Sequence, residues 1–325
     1  MRAAYRIHYG SPSVLSIREI DKPQPLADEI IIKVIATTVN RTDCAVLTGK
    51  PLIFRLFTGI PRPRHVSTGT DFAGIVEAVG SKVTNYKPGD RVWGFDDVNI
   101  GSHAEYLKIN IKKAILPIPD KLSFEDAAAS IEGAHYAYNS INKVDLKPGN
   151  NVLIYGASGA IGSAALQILK YFEVKVTAVC GTDAITKIEK LQPDHIIDYQ
   201  KEDFTRDKGK YDLVVDAVGK SSFAICKPLL KPKGTYLSSE LGANAQNLFL
   251  SLITPITGGQ KVKFPLPTNI LRTMKLLQKM FEAGKFTPVI DKSYSLDKIH
   301  EAFEFVMSGQ KIGNVILKIT TDNGK

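Results

Sequence analysis

The strongest chemical signal in the sequence is a set of three glycines at three-residue spacing, Gly156, Gly159 and Gly162. They follow an apolar run at residues 151–155 and precede another at residues 161–171, which predicts a strand, a glycine turn and a helix. Glycine lets the backbone approach a pyrophosphate closely, and the first turn of a helix offers free N–H groups to that anion. The alternative is that the glycines only allow the helix to pack closely on the strand. We predict a dinucleotide-binding loop made of Gly156, Ala157, Ser158, Gly159, Ala160, Ile161 and Gly162.

The end of the second predicted strand, at residues 174–180, distinguishes the two common dinucleotides. An NAD site places an acidic side chain there, which binds the ribose hydroxyls and would repel a 2′-phosphate. Cys180 stands at that position, Thr182 offers a hydroxyl to a phosphate, and Lys187 follows in the next predicted helix. The sequence therefore favours NADPH, with Thr182 and Lys187 as cofactor residues. NADH stays open as the alternative, because a small loop shift could bring Asp183 to a ribose.

The segment around the glycine loop alternates short apolar runs with segments of helix length. This alternation is typical of βαβ units, which build a parallel sheet covered by helices on both faces. Further strands are predicted at residues 195–199, 213–218 and 234–239, and helices at residues 184–191 and 221–230. Ligands bind at the carboxyl ends of the strands in such sheets. This rule adds Val218, Gly219 and Ser238 to the predicted cofactor-binding residues.

The two ends of the chain show a different pattern. Residues 1–125 contain short apolar runs, such as residues 29–38 and 72–79, separated by turn signals, and this predicts a β-rich region. The chain of 325 residues also exceeds the roughly 250–300 residues that a single hydrophobic core supports, so two domains are expected. In the last segment, helices are predicted at residues 270–283 and 296–308, and a strand at residues 314–319.

Several short motifs, taken in order along the chain, are similar to those of one enzyme family. They are Met1-Arg2-Ala3, Asn40-Arg41-Thr42-Asp43, the run from Gly69 to Gly80, the run from Tyr86 to Val92, the glycine loop and the run from Gly313 to Leu317. Over essentially its whole length the chain resembles the zinc-free quinone oxidoreductase branch of the medium-chain dehydrogenase/reductase superfamily. The resemblance implies an α/β fold in which a Rossmann doubly wound parallel sheet, residues 126–265, is inserted in a GroES-like β-rich catalytic domain, residues 1–125 and 266–325. It also implies a homodimer or homotetramer.

The resemblance allows a comparison with the zinc alcohol dehydrogenases of the same superfamily. Those enzymes have Cys-His-Thr-Asp where this chain has Asn40-Arg41-Thr42-Asp43, and Gly-His-Glu where it has Gly69-Thr70-Asp71. Asn40 and Thr70 thus replace a thiolate and an imidazole, and the third ligand, a cysteine near Gly133, is absent. Amide and hydroxyl groups are poor ligands for zinc. No zinc and no other metal site is predicted.

The missing zinc ligands bear on the reaction. Interconversion of alcohols and ketones calls for a Lewis acid or a strong acid–base residue to handle the alkoxide. Hydride transfer to a quinone or an α,β-unsaturated carbonyl instead spreads charge into a phenolate or enolate, which needs orientation and modest stabilisation. The resemblance therefore implies an NADPH-dependent, zinc-independent quinone or enone reductase. Two alternatives stay open: an NAD(P)-dependent alcohol or carbonyl dehydrogenase, and a weakly catalytic NADPH-binding sensor or RNA-binding relative.

Asn40 is the leading catalytic candidate, because it stands at the former ligand position and can hydrogen-bond nicotinamide, water or a substrate oxygen. The alternative is a simple turn residue after the preceding strand. Asp43 is the second candidate, with the ordering of its loop through backbone N–H groups as an equal alternative. Asp71 is expected to pair with an arginine beneath the site.

The substrate side of the site is less defined. Many relatives place a tyrosine a few residues after the Asn-x-x-Asp motif, but residues 45–57 contain none. Phe54 and Phe57 are candidates for an apolar substrate wall, or else for the core. His65 is a candidate proton donor, or else a loop histidine kept neutral by two neighbouring arginines.

Two further cofactor residues follow from the resemblance. Tyr199 stands at the end of the third Rossmann strand, where relatives contact the adenosine ribose phosphate. Lys311 lies in the C-terminal segment and is predicted to reach the cofactor. Both therefore join the predicted cofactor-binding set.

Composition narrows the partners and the compartment. The net charge is +9, from 42 Lys and Arg against 33 Asp and Glu, but the lysines are spread out, so we predict a basic surface and not a nucleic-acid site. Three scattered cysteines indicate reduced thiols in a cytosol-like compartment. The uncharged stretch at residues 152–169 fits a buried strand-turn-helix better than a membrane span, and the N-terminus has no apolar segment typical of a signal peptide. A cytoplasmic location is therefore predicted, and the partner that the resemblance implies is a small quinone or enone.

Overall fold

The structure of the chain is a computed structural model that describes residues 1–52, 54–97, 101–264 and 266–320. Its strands are β1 (Arg2–Tyr5), β2 (Ser16–Glu19), β3 (Glu29–Thr38), β4 (Asp71–Val79), β5 (Arg91–Phe95), β6 (Tyr106–Asn110), β7 (Ala114–Pro117), β8 (Asn151–Tyr155), β9 (Lys175–Cys180), β10 (His195–Asp198), β11 (Tyr211–Asp216), β12 (Leu230–Ser238), β13 (Lys261–Lys263), β14 (Ile290–Ser295) and β15 (Asn314–Lys318). Its α-helices are α1 (Arg41–Thr48), α2 (Phe54–Thr58), α3 (Phe124–Ile141), α4 (Ala160–Tyr171), α5 (Ile185–Glu189), α6 (Phe223–Cys226), α7 (Gln246–Thr257), α8 (Ile270–Glu282) and α9 (Ile299–Ser308). Within the described ranges, no helix has both the length and the apolar character needed to cross a bilayer.

The chain divides into two units by its internal contacts. Unit 1 comprises Met1–Glu132 and Ile290–Lys325, and unit 2 comprises Gly133–Val289. The sequence predicted boundaries after residues 125 and 265, whereas the two units divide after Glu132 and after Val289. They differ because α3 runs without a break through the first boundary and because α8 belongs to unit 2.

Unit 2 is built on a six-stranded sheet in the order β10-β9-β8-β11-β12-β13, with every neighbouring pair parallel. The central strand β8 carries Val152, Leu153 and Ile154, all fully buried, as expected of a parallel strand covered on both faces. The strand order reverses between β8 and β11, which is the switch point at which doubly wound sheets bind ligands. The predicted Rossmann sheet is confirmed.

Unit 1 contains a seven-stranded sheet in which β3 is the central element. This strand pairs antiparallel with β4, β6 and β15. Alternate residues such as Ile30 and Ile32 point into a core shared with Phe72 and Val92. Because β15 comes from the C-terminal segment, both chain ends build this unit, as the GroES-like arrangement predicts.

Two parts of unit 2 differ from the predicted elements. The helix predicted at residues 221–230 is wrong, since α6 is a short helix followed by a 3₁₀ turn at Lys227–Leu229. Pro228 lies inside that turn, and proline lacks the N–H that a continuing α-helix requires. Helix α7 was not predicted, and Pro255 within it is the residue that obscures the pattern.

Two glycines of the loop between β8 and α4 have different physical roles. A Cβ added to Gly162 would lie 2.1 Å from the Gly156 carbonyl oxygen, so only glycine allows this close approach. A Cβ added to Gly159 would have no neighbour nearer than the same oxygen at 3.6 Å. Gly159 has φ −76° and ψ 171°, a conformation open to any residue. Packing therefore requires glycine at residue 162 and does not require it at residue 159.

This difference predicts unequal effects on stability. Gly162→Ala should lower the free energy of unfolding by about 1–3 kcal/mol, the usual cost of forcing a methyl group into a packed site. The matched variant Gly159→Ala should cost less than about 1 kcal/mol, because only an N-cap preference is lost. Urea unfolding of both variants measures the difference, and equal losses would contradict the packing role of Gly162.

Candidate functional site

The glycine loop in unit 2 has the geometry of an anion-binding turn. Gly156 follows β8 with φ +82°, a conformation that favours glycine. Gly159 is the N-cap of α4 and carries no side chain, so its position leaves the first-turn N–H groups to be satisfied from outside the helix. The predicted loop residues are thus presented as a turn followed directly by a helix N-terminus.

A buried aspartate shapes the neighbouring loop after β11. One carboxylate oxygen of Asp216 accepts hydrogen bonds from the backbone N–H groups of Val218, at 3.2 Å, and Gly219, at 2.8 Å. Val218 lies against the glycine loop, since a Cβ on Gly156 would be 2.5 Å from its Cγ1. Ser238 pairs with Asp216 in the register of β11 and β12. The structure therefore brings Val218, Gly219 and Ser238 to the same edge of the sheet, as predicted. Asp216 was not among the predicted site residues, although an acid that ends a buried parallel strand is a usable signal.

The residues beyond β9 are arranged differently from the expectation for a phosphate site. The Thr182 hydroxyl donates to Oδ2 of Asp198 at 2.6 Å, and its backbone N–H donates to Oε1 of Gln200 at 2.9 Å. This hydrogen bond from Thr182 lowers the pKa of Asp198, so the carboxylate is ionised at neutral pH. Cys180 is fully buried at the end of β9. The acidic side chain near Thr182 is thus Asp198, at the end of β10, whereas the sequence prediction considered only the end of β9.

A cavity of about 390 Å³ lies at the carboxyl ends of β8 and β10. Its walls include the rings of Tyr155, Tyr199 and Phe204 and the charged residues Lys201, Glu202 and Asp203. The rings of Tyr155 and Phe204 are stacked with centroids 4.6 Å apart, and Tyr199 is half exposed beside them. Lys187 lies half-buried in α5, in the same unit. Aromatic walls beside a glycine loop suit a flat heterocycle that is linked to a pyrophosphate.

In unit 1, Asn40 is a helix N-cap and not a free side chain. It precedes α1 and is 4% exposed. Its side-chain nitrogen donates to Glu132 Oε2 at 2.9 Å, to Asp71 Oδ2 at 3.2 Å and to the Thr38 hydroxyl at 2.5 Å. The amide nitrogen therefore points inward, toward carboxylates.

Asp43 holds the loop around this cap. Its Oδ2 accepts from the backbone N–H of Asn40 at 2.8 Å, and its Oδ1 accepts from the backbone N–H of Gly69 at 3.1 Å. The side chain is almost fully buried. This geometry matches the loop-ordering alternative that the sequence offered for Asp43.

Asp71 has different partners from those predicted. Its Oδ1 accepts from the Thr38 backbone N–H at 2.9 Å, and its Oδ2 accepts from the Thr38 hydroxyl at 2.6 Å. The hydroxyl of Thr37 adds a further contact at 3.2 Å. Within the described residues, the donors to Asp71 are thus threonine and asparagine groups, and the predicted arginine partner was wrong. Neutral donors suffice here because several of them converge on one carboxylate.

Sequence reasoning missed Glu132, which is central to this cluster. Its Oε1 accepts from the Thr42 hydroxyl at 2.6 Å, and its Oε2 accepts from Asn40 and from the Thr70 hydroxyl at 3.0 Å. The side chain is 6% exposed. A signal existed, because Glu132 directly precedes Gly133, the point where the third zinc ligand is missing. The missing cysteine therefore points to Glu132 as the polar residue at this position.

Burial and mutual repulsion disturb the acids of this cluster. Burial, followed by the charge of Glu132, raises the pKa of Asp71 to about 7. The same two causes raise the pKa of Asp43 well above its ordinary range, and burial raises the pKa of Glu132. Lys311 lies in the field of Glu132, although burial lowers its pKa to about 8. Burial and mutual repulsion therefore favour the protonated forms of these three acids more than in exposed carboxylates.

The remaining predicted residues of unit 1 lie apart from these contacts. Phe57 is 74% exposed in α2, which excludes it from the core. The side chain of Phe54 lies outside the described part of the structure. Burial, with the charge of Arg64 as a smaller cause, lowers the pKa of His65, in agreement with the predicted neutral histidine. Among the described residues, no group of three or more His, Cys, Asp or Glu side chains is arranged to hold a metal ion.

Comparison with known proteins gives a consistent family. The alcohol dehydrogenase GroES-like domain matches residues 26–120, and the zinc-binding dehydrogenase family matches residues 191–317. A 2-methylene-furan-3-one reductase from Solanum lycopersicum is 30% identical over 331 residues, which cover 98% of this chain and 79% of that protein. A chloroplastic quinone oxidoreductase from Triphysaria versicolor is 29% identical over 332 residues, which cover 98% of both chains.

The fold has a similar match among solved structures. Escherichia coli quinone oxidoreductase complexed with NADPH superposes with a TM-score of 0.81 at 24% identity, over 98% of this chain and 100% of that one. The likeness agrees with the Rossmann sheet of unit 2 and the β-rich unit 1. Together with the matched family domains and the near full-length relatives, it leads to one assignment. The chain belongs to the medium-chain dehydrogenase/reductase superfamily, in its zinc-free quinone oxidoreductase branch.

Proposed function

We propose that this protein is an NADPH-dependent reductase that transfers hydride to quinones or α,β-unsaturated carbonyls and needs no zinc. One observation carries the proposal. Asn40 and Thr70, which replace two zinc ligands of the related alcohol dehydrogenases, both donate hydrogen bonds to Glu132. Asn40, Thr70 and Glu132 satisfy one another's hydrogen-bonding groups. Such a site suits a substrate whose carbonyl is already conjugated, because the charge that develops on its oxygen is then delocalised.

The residues of unit 2 fit a nicotinamide dinucleotide. The open space at Gly159 and the N-terminus of α4 suit the pyrophosphate, and the loop held by Asp216 lies beside them. Tyr155 and Tyr199 line the cavity that suits the adenine end. The bound dinucleotide supplies the hydride, and the protein supplies orientation. The charge that then develops on the substrate oxygen is delocalised, which lowers the demand for a metal or a strong acid.

NADPH is proposed in preference to NADH. The end of β9 carries the buried Cys180 and not a carboxylate, and Lys187 on α5 supplies positive charge in the same unit. Lys201 lines the cavity as well, but its Nζ lies 3.4 Å from Oδ2 of Asp198. The E. coli structure is described as a complex with NADPH. Asp198 is the opposing feature, because its carboxylate occupies the hydroxyl of Thr182. The preference therefore rests on the lysines and not on Thr182.

The substrate class follows the relatives. The tomato protein is named as a reductase of a methylene-furanone, and the Triphysaria protein as a quinone oxidoreductase. Phe57, exposed in α2, remains a candidate for contact with an apolar substrate. The homodimer or homotetramer and the cytoplasmic location stay predictions from the sequence.

Turnover on a small panel of acceptors tests the proposal. Purified protein treated with a chelator is mixed with NADPH and a naphthoquinone, an aliphatic enone, a saturated aldehyde or no acceptor, with NADH in parallel. Oxidation of NADPH by the quinone or the enone is expected. Turnover of the aldehyde that chelation abolishes would support an alcohol dehydrogenase instead. Tight NADPH binding without any turnover would overturn the enzyme proposal and favour a sensor.

The preference for NADPH predicts a selective effect at Lys187. Lys187→Ala should raise the KM for NADPH about tenfold, because a charge-assisted hydrogen bond to phosphate is worth about 1.5–3 kcal/mol. The KM for NADH should stay unchanged, since NADH has no 2′-phosphate. Lys190→Ala is the matched control, because it removes an exposed lysine at the end of the same helix. An equal rise in both KM values would contradict this role.

The open space at Gly159 predicts a separate loss of cofactor affinity. Gly159→Ala should weaken NADPH binding about tenfold, because a methyl group that blocks close approach costs about 1–3 kcal/mol. The free energy of unfolding of this variant should stay near that of the wild type, because the added methyl group would have no neighbour nearer than 3.6 Å. Isothermal titration with NADPH, together with urea unfolding, separates the two effects. Unchanged affinity in this variant would place the pyrophosphate elsewhere.

A further inference from the structure

One carboxylate in unit 1 connects three separate segments of the chain. Glu132, on α3, accepts hydrogen bonds from Asn40 and Thr42 at the start of α1 and from Thr70 just before β4. Both of its oxygens are used, and the side chain is 6% exposed. A residue placed only for solubility would not be buried with three converging donors.

These contacts determine which atoms Asn40 presents. Its amide nitrogen faces Glu132, Asp71 and the Thr38 hydroxyl, all of which can accept a hydrogen bond. With the amide reversed, its oxygen would face two acid groups and would repel each of them that is ionised. The reversed orientation is therefore disfavoured electrostatically, and the Glu132 contact is the shorter of the two carboxylate contacts.

We infer that Glu132 is the positioning residue of this site, which holds the Asn40 amide in one orientation and ties the Thr42 hydroxyl beside it. This inference rests on the proposed function and on the sequence prediction that Asn40 hydrogen-bonds the nicotinamide, a water or the substrate oxygen. Glu132 acts through Asn40 and not by contact with the reacting atoms. A glutamine at this position can still accept from Asn40 with its oxygen, whereas an apolar side chain of similar size cannot.

Two variants and a matched control test this inference in the full-length protein. Glu132→Met should lower kcat about 100-fold, since small displacements of a positioned group have effects of this size. Glu132→Gln should keep kcat within about tenfold of the wild type, since an amide oxygen retains the bond to Asn40. Glu125→Gln is the control and should leave kcat unchanged, because Glu125 is a carboxylate of the same helix that pairs with Lys318 and not with Asn40. The KM for NADPH should change far less than kcat in all three, because the dinucleotide loop and the cavity that suits the adenine end lie in unit 2.

A double-mutant cycle shows whether Glu132 acts through Asn40. In an Asn40→Ala background, Glu132→Met should cause no further loss of kcat, because the group that it positions is gone. Independent, additive losses would overturn the inference. An equal loss of kcat in Glu132→Gln and Glu132→Met would also overturn it, since charge and not positioning would then matter. If Glu132→Met fails to fold, Glu132→Ala takes its place in every comparison, because it also removes the acceptor for Asn40.

The pH dependence of stability gives a readout that is independent of turnover. The charged groups around the cluster are Asp43, Asp71, Glu132, Lys311, Arg41 and Arg6. The folded pKa of Asp71, about 7, exceeds its ordinary value, so the folded state loses stability as pH rises toward 7. Glu132→Gln removes the neighbouring negative charge, and the variant should lose less stability than the wild type over that interval.

The NMR signals of the Asn40 side chain separate failure of the inference from failure of the proposed function. In ¹⁵N-labelled protein, the Asn40 amide protons, assigned by their loss in Asn40→Ala, should be protected from exchange in the wild type and in Glu132→Gln. They should lose protection in Glu132→Met. Protection that depends on Glu132 in a protein without turnover would reject the proposed function alone. Protection that does not depend on Glu132 would reject the positioning role, whatever the activity.

Discussion

A buried carboxylate must be surrounded by hydrogen-bond donors, and this constraint shapes the loops of both units. An ionised acid without partners costs several kcal/mol, so the chain around it folds to supply them. In unit 2, Asp216 is satisfied by backbone N–H groups of the loop that follows β11. In unit 1, Asp43 draws the N–H groups of Asn40 and Gly69 to itself. Loops that would otherwise vary are thereby held next to the strands.

The same constraint has an electrostatic consequence in unit 1. Asp43, Asp71 and Glu132 lie close enough for each charge to affect the others. Hydroxyl and amide donors compensate part of the burial, but the pKa values of all three remain raised. Ionisation of such a cluster lowers the stability of the fold as pH rises, while its hydrogen bonds hold the polar groups in a fixed arrangement. Under the proposed function, in which no metal takes part, orientation of this kind has to come from the protein itself.

The cofactor region shows how a local rule can miss a neighbouring strand. The expectation for NADPH was drawn from the end of β9, where Cys180 stands. The structure places Asp198, from β10, against the Thr182 hydroxyl. Adjacent parallel strands end at the same edge of a sheet, so a residue near position 180 in space can lie far from it in sequence. Under the proposed function, the choice between NADPH and NADH would depend on the balance between the Asp198 carboxylate and the lysines of the same unit.

The sequence by itself determined the architecture of the chain. The spacing of hydrophobic residues and the turn signals predicted β3, β8 and the glycine turn. These elements depend on local propensity and on burial patterns that repeat along the chain. The family motifs added the inserted Rossmann sheet and the loss of zinc ligands. Only the tertiary structure revealed the hydrogen bonds of Glu132, because its donors Asn40, Thr42 and Thr70 lie 62 to 92 residues away from it in the sequence. It also decided that Asn40 is an N-cap whose amide faces carboxylates, since hydrogen-bond partners across segments leave no periodic signal in the sequence.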